Sequence, residues 1–289
     1  MTDAIAFIGL GTMGMPMALC LERNGKEVIG WDLDAAARQS FGNSTETLAG
    51  LTRHCQTFIT MLPEGEHVRQ VYSQLLASGV MENSLFIDCS TIDVGSAREL
   101  AGQLDDRGHG FVDAPVSGGA EGAQSGNLSF MLGGDADGIE RARPLLKIMG
   151  SKITEFGPAG SGQSAKACHN MICGITALGV CEAFALAESL GLDADKFFQL
   201  CRGAAAQSWI LENRCPVPGP AQSAPSSHDY APGFAARLMA KDLKLAQQAA
   251  SSSGQVTEFG EAAARRFAEF VASGQGDLDF SAIFRSIKS

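Results

Sequence analysis

The apolar positions follow two different patterns along the chain. Up to about residue 160, short continuous apolar runs alternate with stretches of helical periodicity. Such runs are typical of strands that are buried on both faces of a parallel sheet. They predict strands at 4–8, 27–31, 57–62, 85–89, 110–112, 130–132 and 153–156. The stretches between them predict helices at 15–24, 66–76, 95–106 and 136–149.

The order of these elements predicts the fold class. Alternating strands and helices are typical of a doubly wound, Rossmann-type sheet. After Gly162 the strand signals vanish and helical periodicity continues to the C-terminus. We therefore expect an α/β protein with an N-terminal Rossmann-type domain over 1–162, joined by a long helix to an all-α domain over 163–289. Within the second domain, segment 215–232 is rich in Pro, Ser, Ala and Gly and predicts a long loop.

Charge and apolar content argue against several classes of protein. The chain has 289 residues, 45% of them hydrophobic, and a formal net charge of −10. This charge opposes binding to nucleic acid or to an anionic membrane, because both need clustered Lys and Arg. The apolar stretch 171–190 contains two glutamates and many small residues, which indicates a buried core helix, not a membrane span. The short N-terminal apolar run leads directly into glycines and predicts a strand, not a signal peptide.

The eight cysteines show no metal-binding pattern. No two are spaced as C-x-x-C, and no cluster of histidines accompanies them, so we expect no metal site. Several lie in apolar segments, where a free cysteine behaves as a small hydrophobic residue. Free thiols are typical of a reducing compartment, and we therefore expect a cytoplasmic protein.

The turn after the first predicted strand indicates a dinucleotide site. It consists of Gly9, Leu10, Gly11, Thr12, Met13 and Gly14. Glycines there permit close approach of the backbone to a pyrophosphate, and the following helix N-terminus favours its charge. Asp32 ends the next predicted strand, where a carboxylate binds the ribose hydroxyls and repels a 2′-phosphate. Because no Lys or Arg adjoins Asp32, and Arg38 lies a turn or more further on, we predict NAD and not NADP as the cofactor.

Three more residues are expected at the cofactor because of where the predicted strands end. Leu62 and Pro63 lie at the end of one predicted strand, and Thr91 follows another. Ligands of open α/β sheets bind at the carboxyl ends of the parallel strands. These residues are therefore predicted to border the cofactor.

The long helix carries a candidate acid–base group. Lys166 and Asn170 are four residues apart and therefore share one helix face. Lysine early in a helix opposes the macrodipole, and asparagine has a low helix propensity, so a structural role is poorly motivated for either. Hydride transfer from an alcohol needs a base for the hydroxyl proton. A free lysine has a pKa of ~10.4, and burial beside a positively charged nicotinamide would lower it.

Four segments together resemble the β-hydroxyacid dehydrogenases. They are residues 7–17, which include the glycine turn; 113–119, Asp-Ala-Pro-Val-Ser-Gly-Gly; 160–170; and 238–246, Leu-Met-Ala-Lys-Asp-Leu-Lys-Leu-Ala. They occur in the family's order and spacing over nearly the whole chain. Within the family, the chain is most similar to the 3-hydroxyisobutyrate dehydrogenases in Trp209, in the Pro-Val-Pro-Gly turn at 216–219 and in the loop that leads to Phe234.

The resemblance implies roles for the matching residues. Lys166 would be the general acid/base, and Asn170 would hold the substrate and orient the lysine. The substrate carboxylate would be bound by Ser117, Gly118 and Gly119. The other implied roles are contact with the nicotinamide end by Thr91 and Lys241, support of Lys241 by Asp242, and shaping of the substrate pocket by Trp209 and Phe234.

The resemblance also implies a reaction and partners. The reaction would be NAD-dependent oxidation of a 3-hydroxy acid, with 3-hydroxyisobutyrate giving methylmalonate semialdehyde in branched-chain amino acid catabolism. L-serine, glycerate, 3-hydroxypropionate and tartronate semialdehyde are alternative substrates. The partners would be a small hydroxy acid and further copies of the chain, as a homodimer or homotetramer, with neither nucleic acid nor membrane. Imine reductases replace the lysine, and non-catalytic relatives lack it and carry basic extensions, so Lys166 in an acidic chain argues against both.

Three positions leave alternatives open. His169 stands where 3-hydroxyisobutyrate dehydrogenases commonly have Asn, and it either bonds the substrate or packs structurally. Arg214 and Cys215 replace the usual Tyr-Asn before the turn, and Arg214 either recruits a second anionic group or faces solvent. Without the resemblance, Lys241 and its neighbour Asp242 are equally readable as an exposed ion pair.

Overall fold

The computed structural model describes residues 4–288. The chain divides into two compact units, the first ending at Lys166 and the second beginning at Ala167. The sequence predicts a boundary after residue 162. Helix α8 (Ser161–Ser189) contains both positions and is 29 residues long.

The first unit contains one sheet of eight strands. They are β1 (Ala4–Ile8), β2 (Val28–Trp31), β3 (Cys55–Thr60), β4 (Leu85–Asp88), β5 (Gly110–Asp113), β6 (Val116–Ser117), β7 (Leu128–Gly134) and β8 (Gly150–Gly157). The order is β2-β1-β3-β4-β5-β7-β6, and β8 pairs with β7. Strands β1 to β5 are parallel, and Ile5 lies opposite Val28 on one side and Thr57 on the other. The predicted Rossmann-type sheet is therefore confirmed, with an antiparallel extension at β7.

Helices connect these strands. They are α1 (Gly14–Arg23), α2 (Ala35–Phe41), α3 (Leu48–Thr52), α4 (Gly65–Ala77), α5 (Val94–Asp105), α6 (Gly119–Ser125) and α7 (Ala136–Met149). The sequence analysis missed α2, α3, α6 and β6, which are too short to show a clear period. Caps reveal two of them: Asp34 accepts from the amide of Ala36 at the start of α2, and Thr47 accepts from Gly50 in α3.

The apolar strands are buried on both sheet faces. Ile5 and Phe7 belong to one core cluster, whereas Ala4, Ala6 and Ile8 belong to another. This division follows from the alternation of side chains across a strand. Both faces are apolar because helices cover each of them, as expected for a parallel sheet.

The second unit is helical. Apart from an isolated bridge between Ala235 and Asp279, residues 167–288 form no strand pairing. After α8, the α-helices are α9 (Ala194–Arg202), α10 (Trp209–Asn213), α11 (Ala236–Ser253), α12 (Glu258–Phe270) and α13 (Phe284–Ile287). The predicted loop at 215–232 joins α10 to α11 and contains one 3-10 helix, Pro225–His228. Within 167–288, seven aromatic side chains, among them Phe184, Phe198 and Phe267, lie in the buried core beside aliphatic and small residues.

Helix α8 differs from the buried core helix that its sequence predicts. Its most apolar window has a mean hydropathy of 1.6, yet only 33% of that window is buried. Ile172 and Leu186 are exposed. Within 4–288 it is the one helix long and apolar enough to cross a membrane by length and composition, a test that core helices of soluble proteins also pass. Within residues 4–288, α8 is therefore only partly buried, and part of its apolar surface is exposed.

Candidate active site

The glycine turn between β1 and α1 has the shape that a pyrophosphate requires. A Cβ added to Gly14 would lie 1.8 Å from the carbonyl oxygen of Gly9, and one added to Gly9 would lie 2.3 Å from that of Met61. Gly9 also has a φ of +96°. A Cβ at Gly11, by contrast, would have no heavy atom within 4 Å apart from those of Gly11 itself and its two neighbours in the chain. Gly9 and Gly14 therefore shape the turn, whereas Gly11 leaves open space over it for a ligand.

Asp32 is fixed beside this turn. It follows β2, and its carboxylate accepts the amide of Leu10 at 2.7 Å and that of Asp34 at 2.8 Å. Arg38 folds back towards it, since Nη1 donates to the carbonyl oxygens of Asp32 and Leu33 at 2.6 and 3.1 Å. The arginine is nearer to Asp32 than its sequence separation suggests, but these donors bind the backbone. The turn and the carboxylate fit an NAD ribose and pyrophosphate.

The loops after β3 and β4 are tied together. The amide of Leu62 donates to Oγ of Ser90 at 2.8 Å. Pro63 follows Leu62 in the first loop, and Thr91 follows Ser90 in the second. Side-chain atoms of Gln163, in the first turn of α8, bond the backbone on both sides of Thr91. The predicted cofactor residues at the carboxyl ends of β3 and β4 are thus brought together.

A buried polar chain lies directly below the second loop. Oγ1 of Thr60 donates its proton to Oδ1 of Asp88 at 2.8 Å. Because that proton is used, the hydroxyl of Tyr72, 3.0 Å away, donates to Oγ1 of Thr60. The amide of Ser90 also donates to Oδ1 of Asp88, and Oδ2 has no hydrogen-bond partner. Burial raises the pKa of Asp88 to about 6, against the lowering effect of its hydrogen bonds.

A second buried carboxylate anchors the start of α8. Asp113, at the end of β5, accepts the amide of Gly160 at 2.7 Å and that of Gln163 at 2.9 Å. These bonds satisfy amides that a helix N-terminus leaves without an intrahelical partner. Burial raises the pKa of Asp113 to about 6, although the same backbone hydrogen bonds act in the opposite direction.

Lys166 lies in the first unit beside the glycines that follow β6. Only 8% of the residue is exposed, and Nζ donates to the carbonyl oxygen of Val116 at 2.7 Å. Ser117, Gly118 and Gly119 come next, and the two glycines have φ values of +133° and +64°. Lys166 is therefore a buried residue next to Ser117, Gly118 and Gly119, and not an exposed residue on the surface of the helix.

Asn170 and Asp242 form a buried pair in the second unit. Nδ2 of Asn170 donates to Oδ2 of Asp242 at 2.5 Å, and Nζ of Lys241 lies 3.2 Å from Oδ1 of Asp242. Because Asn170 donates through Nδ2, its Oδ1 is an acceptor, and Nδ1 of His169 at 2.8 Å must donate to it. The Lys241–Asp242 pair is therefore not an exposed ion pair, and His169 packs against Asn170.

Arg214 is held in place by the second unit. Its guanidinium lies 5.1 Å from the ring centre of Trp209, and Nε lies 3.6 Å from Oδ2 of buried Asp279. The same carboxylate oxygen accepts the amides of Gly233 and Phe234 at 3.2 and 3.0 Å. Arg214 does not simply face solvent, and Asp279 balances its charge. Trp209 therefore lies against the Arg214 side of the Arg214–Asp279 pair, and the backbone of Phe234 lies against the Asp279 side.

Sequence reasoning missed three buried residues of this arrangement. Asp113 and Gln163 stood within the family segments without an assigned role. The only signal was a polar residue inside an apolar context. Asp279 also caps the turn that follows it through Ser281, but its contacts with Phe234 and Gly233, 45 and 46 residues away, left no signal in the sequence.

Comparisons with known proteins agree with this geometry. The sequence model described as the NAD binding domain of 6-phosphogluconate dehydrogenase matches residues 4–157. The one described as NAD-binding of NADP-dependent 3-hydroxyisobutyrate dehydrogenase matches residues 160–287. A probable 3-hydroxyisobutyrate dehydrogenase of Mycobacterium tuberculosis is 42% identical over 99% of this chain and 98% of its own. The chain belongs to the 3-hydroxyisobutyrate dehydrogenase family.

Two further members of this family are informative. An NAD-dependent L-serine dehydrogenase of Pseudomonas aeruginosa is 39% identical over 96% of each chain. The solved structure of Mycobacterium tuberculosis 3-hydroxyisobutyrate dehydrogenase with L-serine has a TM-score of 0.93, 41% identity and full coverage of both chains. The protein is therefore an NAD-dependent hydroxyacid dehydrogenase, and the predictions of family, enzyme class and cofactor are confirmed.

Proposed function

We propose that this enzyme oxidises 3-hydroxyisobutyrate to methylmalonate semialdehyde, with Lys166 as the general acid/base. One observation carries the proposal: Nζ of Lys166 lies 2.7 Å from the carbonyl oxygen of Val116, immediately before Ser117, Gly118 and Gly119. A base is thereby held next to backbone amides and a hydroxyl that suit a carboxylate. In a β-hydroxy acid one α-carbon separates the carboxylate from the carbon that carries the hydroxyl. The two groups can therefore reach the base and the neighbouring carboxylate-binding groups together.

The proposed reaction removes one hydride and one proton from the alcohol. NAD, held by the turn at residues 9–14 and by Asp32, would supply the acceptor for the hydride from the carbinol carbon. Lys166, as the neutral amine, takes the hydroxyl proton at Nζ and becomes the ammonium, while the carbinol carbon becomes a carbonyl. In the reverse direction the ammonium returns that proton to the forming alkoxide. Ser117, Gly118 and Gly119 hold the carboxylate in this scheme.

The remaining site residues are proposed from the family pattern together with their surroundings. Asn170 is proposed to bind the substrate, because Asp242 fixes its side chain. Thr91 and Lys241 are assigned to the nicotinamide end, and Leu62 and Pro63 to the loop below it. Trp209 and Phe234 are assigned to the substrate side group. His169 is proposed to support Asn170, to which it donates. We propose cofactor binding as the main role of 1–162, which also supplies the carboxylate turn at 117–119, and substrate binding and assembly as the main role of 163–289, which also supplies Lys241.

L-serine is the second candidate substrate. A relative named NAD-dependent L-serine dehydrogenase is 39% identical, and a relative's structure is described with L-serine. L-serine has the same arrangement of carboxylate, α-carbon and primary hydroxyl as 3-hydroxyisobutyrate, with an ammonium in place of a methyl group. The two substrates therefore make the same demands on Lys166.

Initial rates of NAD reduction test the proposal. The purified enzyme is assayed with (S)-3-hydroxyisobutyrate, L-serine, glycerate and 3-hydroxypropionate at the same concentrations. The proposal expects the highest kcat/KM for 3-hydroxyisobutyrate. A higher value for L-serine would replace the substrate and keep the mechanism. Turnover of none of the four acids would reject the assignment to 3-hydroxy acids.

We further propose a homodimer or homotetramer in the cytoplasm. The middle of α8 and the start of α12 form an apolar groove of about 470 Å³, lined by Met171, Ile175, Val256, Phe259 and neighbouring residues. Val256 and Phe259 are 74% and 77% exposed, and the net charge of −10 opposes an anionic membrane as the occupant. A second copy of the chain is the occupant we propose, and the mass in solution of the Phe259→Asp variant tests it. No disulfide joins the eight cysteines, all of which lie within residues 4–288, and this supports a reducing compartment.

A further inference from the structure

Both polar atoms of the Gln163 side chain are hydrogen-bonded in the buried interior of the first unit. It is 1% exposed and lies in the first turn of α8. Nε2 donates to the carbonyl oxygen of Ser90 at 2.8 Å, and Oε1 accepts the amide of Ile92 at 3.1 Å. A primary amide satisfies both backbone groups at once, in the way that a neighbouring strand would. An apolar side chain would leave the two groups buried without partners, which is costly.

These two backbone groups flank Thr91. Residues 90–92 continue from β4 at the edge of the sheet where dinucleotides bind. Oγ of Ser90 in turn accepts the amide of Leu62 in the neighbouring loop, at 2.8 Å. The position of Gln163 therefore determines the position of both loops that face the cofactor.

The other end of this connection is equally firm. The backbone amide of Gln163 donates to Oδ2 of Asp113 at 2.9 Å. Gly162 is so closely packed that a Cβ there would lie 2.3 Å from the carbonyl oxygen of Met131. Three residues after Gln163, Lys166 bonds the carbonyl oxygen of Val116. The first turns of α8 thus cannot shift without breaking contacts to β5, to β6 or to the loop after β4.

We propose that Gln163 is a positioning residue that holds the loop carrying Thr91 in register with Lys166. The inference rests on the proposed function, since it concerns how the proton acceptor and the cofactor loop are kept at a fixed separation. Hydride and proton transfer need both groups at once, and a misplacement of about 1 Å can cost about 10²-fold in rate. One buried amide between helix and loop provides this alignment before any ligand binds.

The test compares Gln163→Met, which has a similar length and loses both hydrogen bonds, with a matched stability control. The control is Leu146→Ala, a fully buried residue of α7 in the same unit. Three quantities are measured at a temperature where both variants are folded: the Kd of NADH by its fluorescence, kcat, and the KM of the hydroxy acid. We expect the Kd of NADH to rise and kcat to fall, each about tenfold, while the KM changes less than about threefold, because Gln163 does not touch Ser117, Gly118 or Gly119.

A purely structural glutamine would give a different result. Gln163→Met and Leu146→Ala would then both lower the melting temperature and leave the Kd of NADH and kcat within about twofold of the wild type, which would overturn the proposal. If Gln163→Met does not fold, Gln163→Glu takes its place, because it keeps the acceptor for Ile92 and loses the donor to Ser90. If the wild type oxidises no hydroxy acid, the proposed function fails, and an unchanged Kd of NADH in the variant would independently reject the role of Gln163.

Discussion

The side-chain amide of Asn170 donates a 2.5 Å hydrogen bond to the carboxylate of Asp242, 72 residues away in the chain. The family pattern connects Asp242 with its neighbour Lys241 only. The structure adds a second connection, so that one buried carboxylate holds a residue assigned to the substrate and another assigned to the cofactor.

We expect Asp242→Asn to lower kcat/KM by about 10- to 100-fold. The substitution keeps the size of the side chain and removes the charge that strengthens both bonds, and hydrogen bonds to charged groups contribute about 1.5–3 kcal/mol. Steady-state kinetics measure the effect. Asp277→Asn is the matched control, because Asp277 also pairs with a cation, Arg237, but its side chain is 92% exposed. Equal losses in both variants would contradict the role of Asp242.

Replacement of Lys166 tests the proton acceptor. Lys166→Met keeps the length of the side chain and removes the amine, so we expect kcat to fall by about 10²–10⁴-fold. The Kd of NADH should change little, because Nζ of the lysine donates to the carbonyl oxygen of Val116, which lies outside the cofactor turn at residues 9–14. Lys147→Met, an exposed position in α7, serves as the control. Full activity of Lys166→Met would exclude this residue as the base.

The glycines of the cofactor turn are expected to respond differently to alanine. Gly11→Ala should leave the melting temperature nearly unchanged, since its Cβ would have free space, but should weaken NADH binding by tenfold or more. Gly14→Ala should instead destabilise the first unit, because its Cβ would lie 1.8 Å from the oxygen of Gly9. Gly102→Ala in α5, whose added Cβ would also have open space, is the control for a glycine-to-alanine change away from the cofactor turn. Normal NADH binding by Gly11→Ala would argue against a pyrophosphate at this turn.

The buried carboxyl of Asp88 makes stability depend on pH. Its pKa is about 6 in the folded protein and near 3.8 when exposed. Between these values the folded state binds the proton more tightly, so this group's contribution to the free energy of unfolding falls as the pH rises from about 4 to about 6. Above that it lowers stability by on the order of 2–3 kcal/mol.

Asp88→Asn removes this dependence. We expect the difference in unfolding free energy between variant and wild type to shift in favour of the variant as the pH rises through this window, as measured by urea unfolding. The contribution of Asp113, which has a similar pKa, remains in both proteins. Asp105→Asn, at an exposed site in α5, should show no such trend. A constant difference for Asp88→Asn across the window would show that this carboxyl does not titrate there.

Most of the first unit was predictable because its signals are local. The run Ala4–Ile8 lies on both sheet faces and is apolar throughout, and α7 was predicted with its observed bounds. The short elements α2, α3, α6 and β6 were not predictable, since five to seven residues, or two in β6, do not reveal a period. The helices α2 and α3 have side-chain caps, α6 packs against α1, and β6 pairs with β7.

The residues of the candidate site likewise fall into those that the sequence predicted and those that it did not. The glycine turn and Asp32 were recognisable because a pyrophosphate imposes a fixed spacing on consecutive residues. The role of Gln163 was not, because it depends on residues 71 and 73 positions away. Likewise, nothing in the sequence indicates that the carboxylate of Asp279 balances the charge of Arg214.

The sequence by itself determined the alternation of strands and helices, the cofactor turn, the acidic residue after β2 and the family motifs, because each depends on spacing within a few residues. Only the tertiary structure decided which polar side chains are buried and which partners they meet. Burial without a partner is costly, so Asp113, Gln163 and Asp242 are acceptable only because distant backbone and side-chain groups satisfy them. Such long-range satisfaction is a property of the folded chain and of no short segment in it.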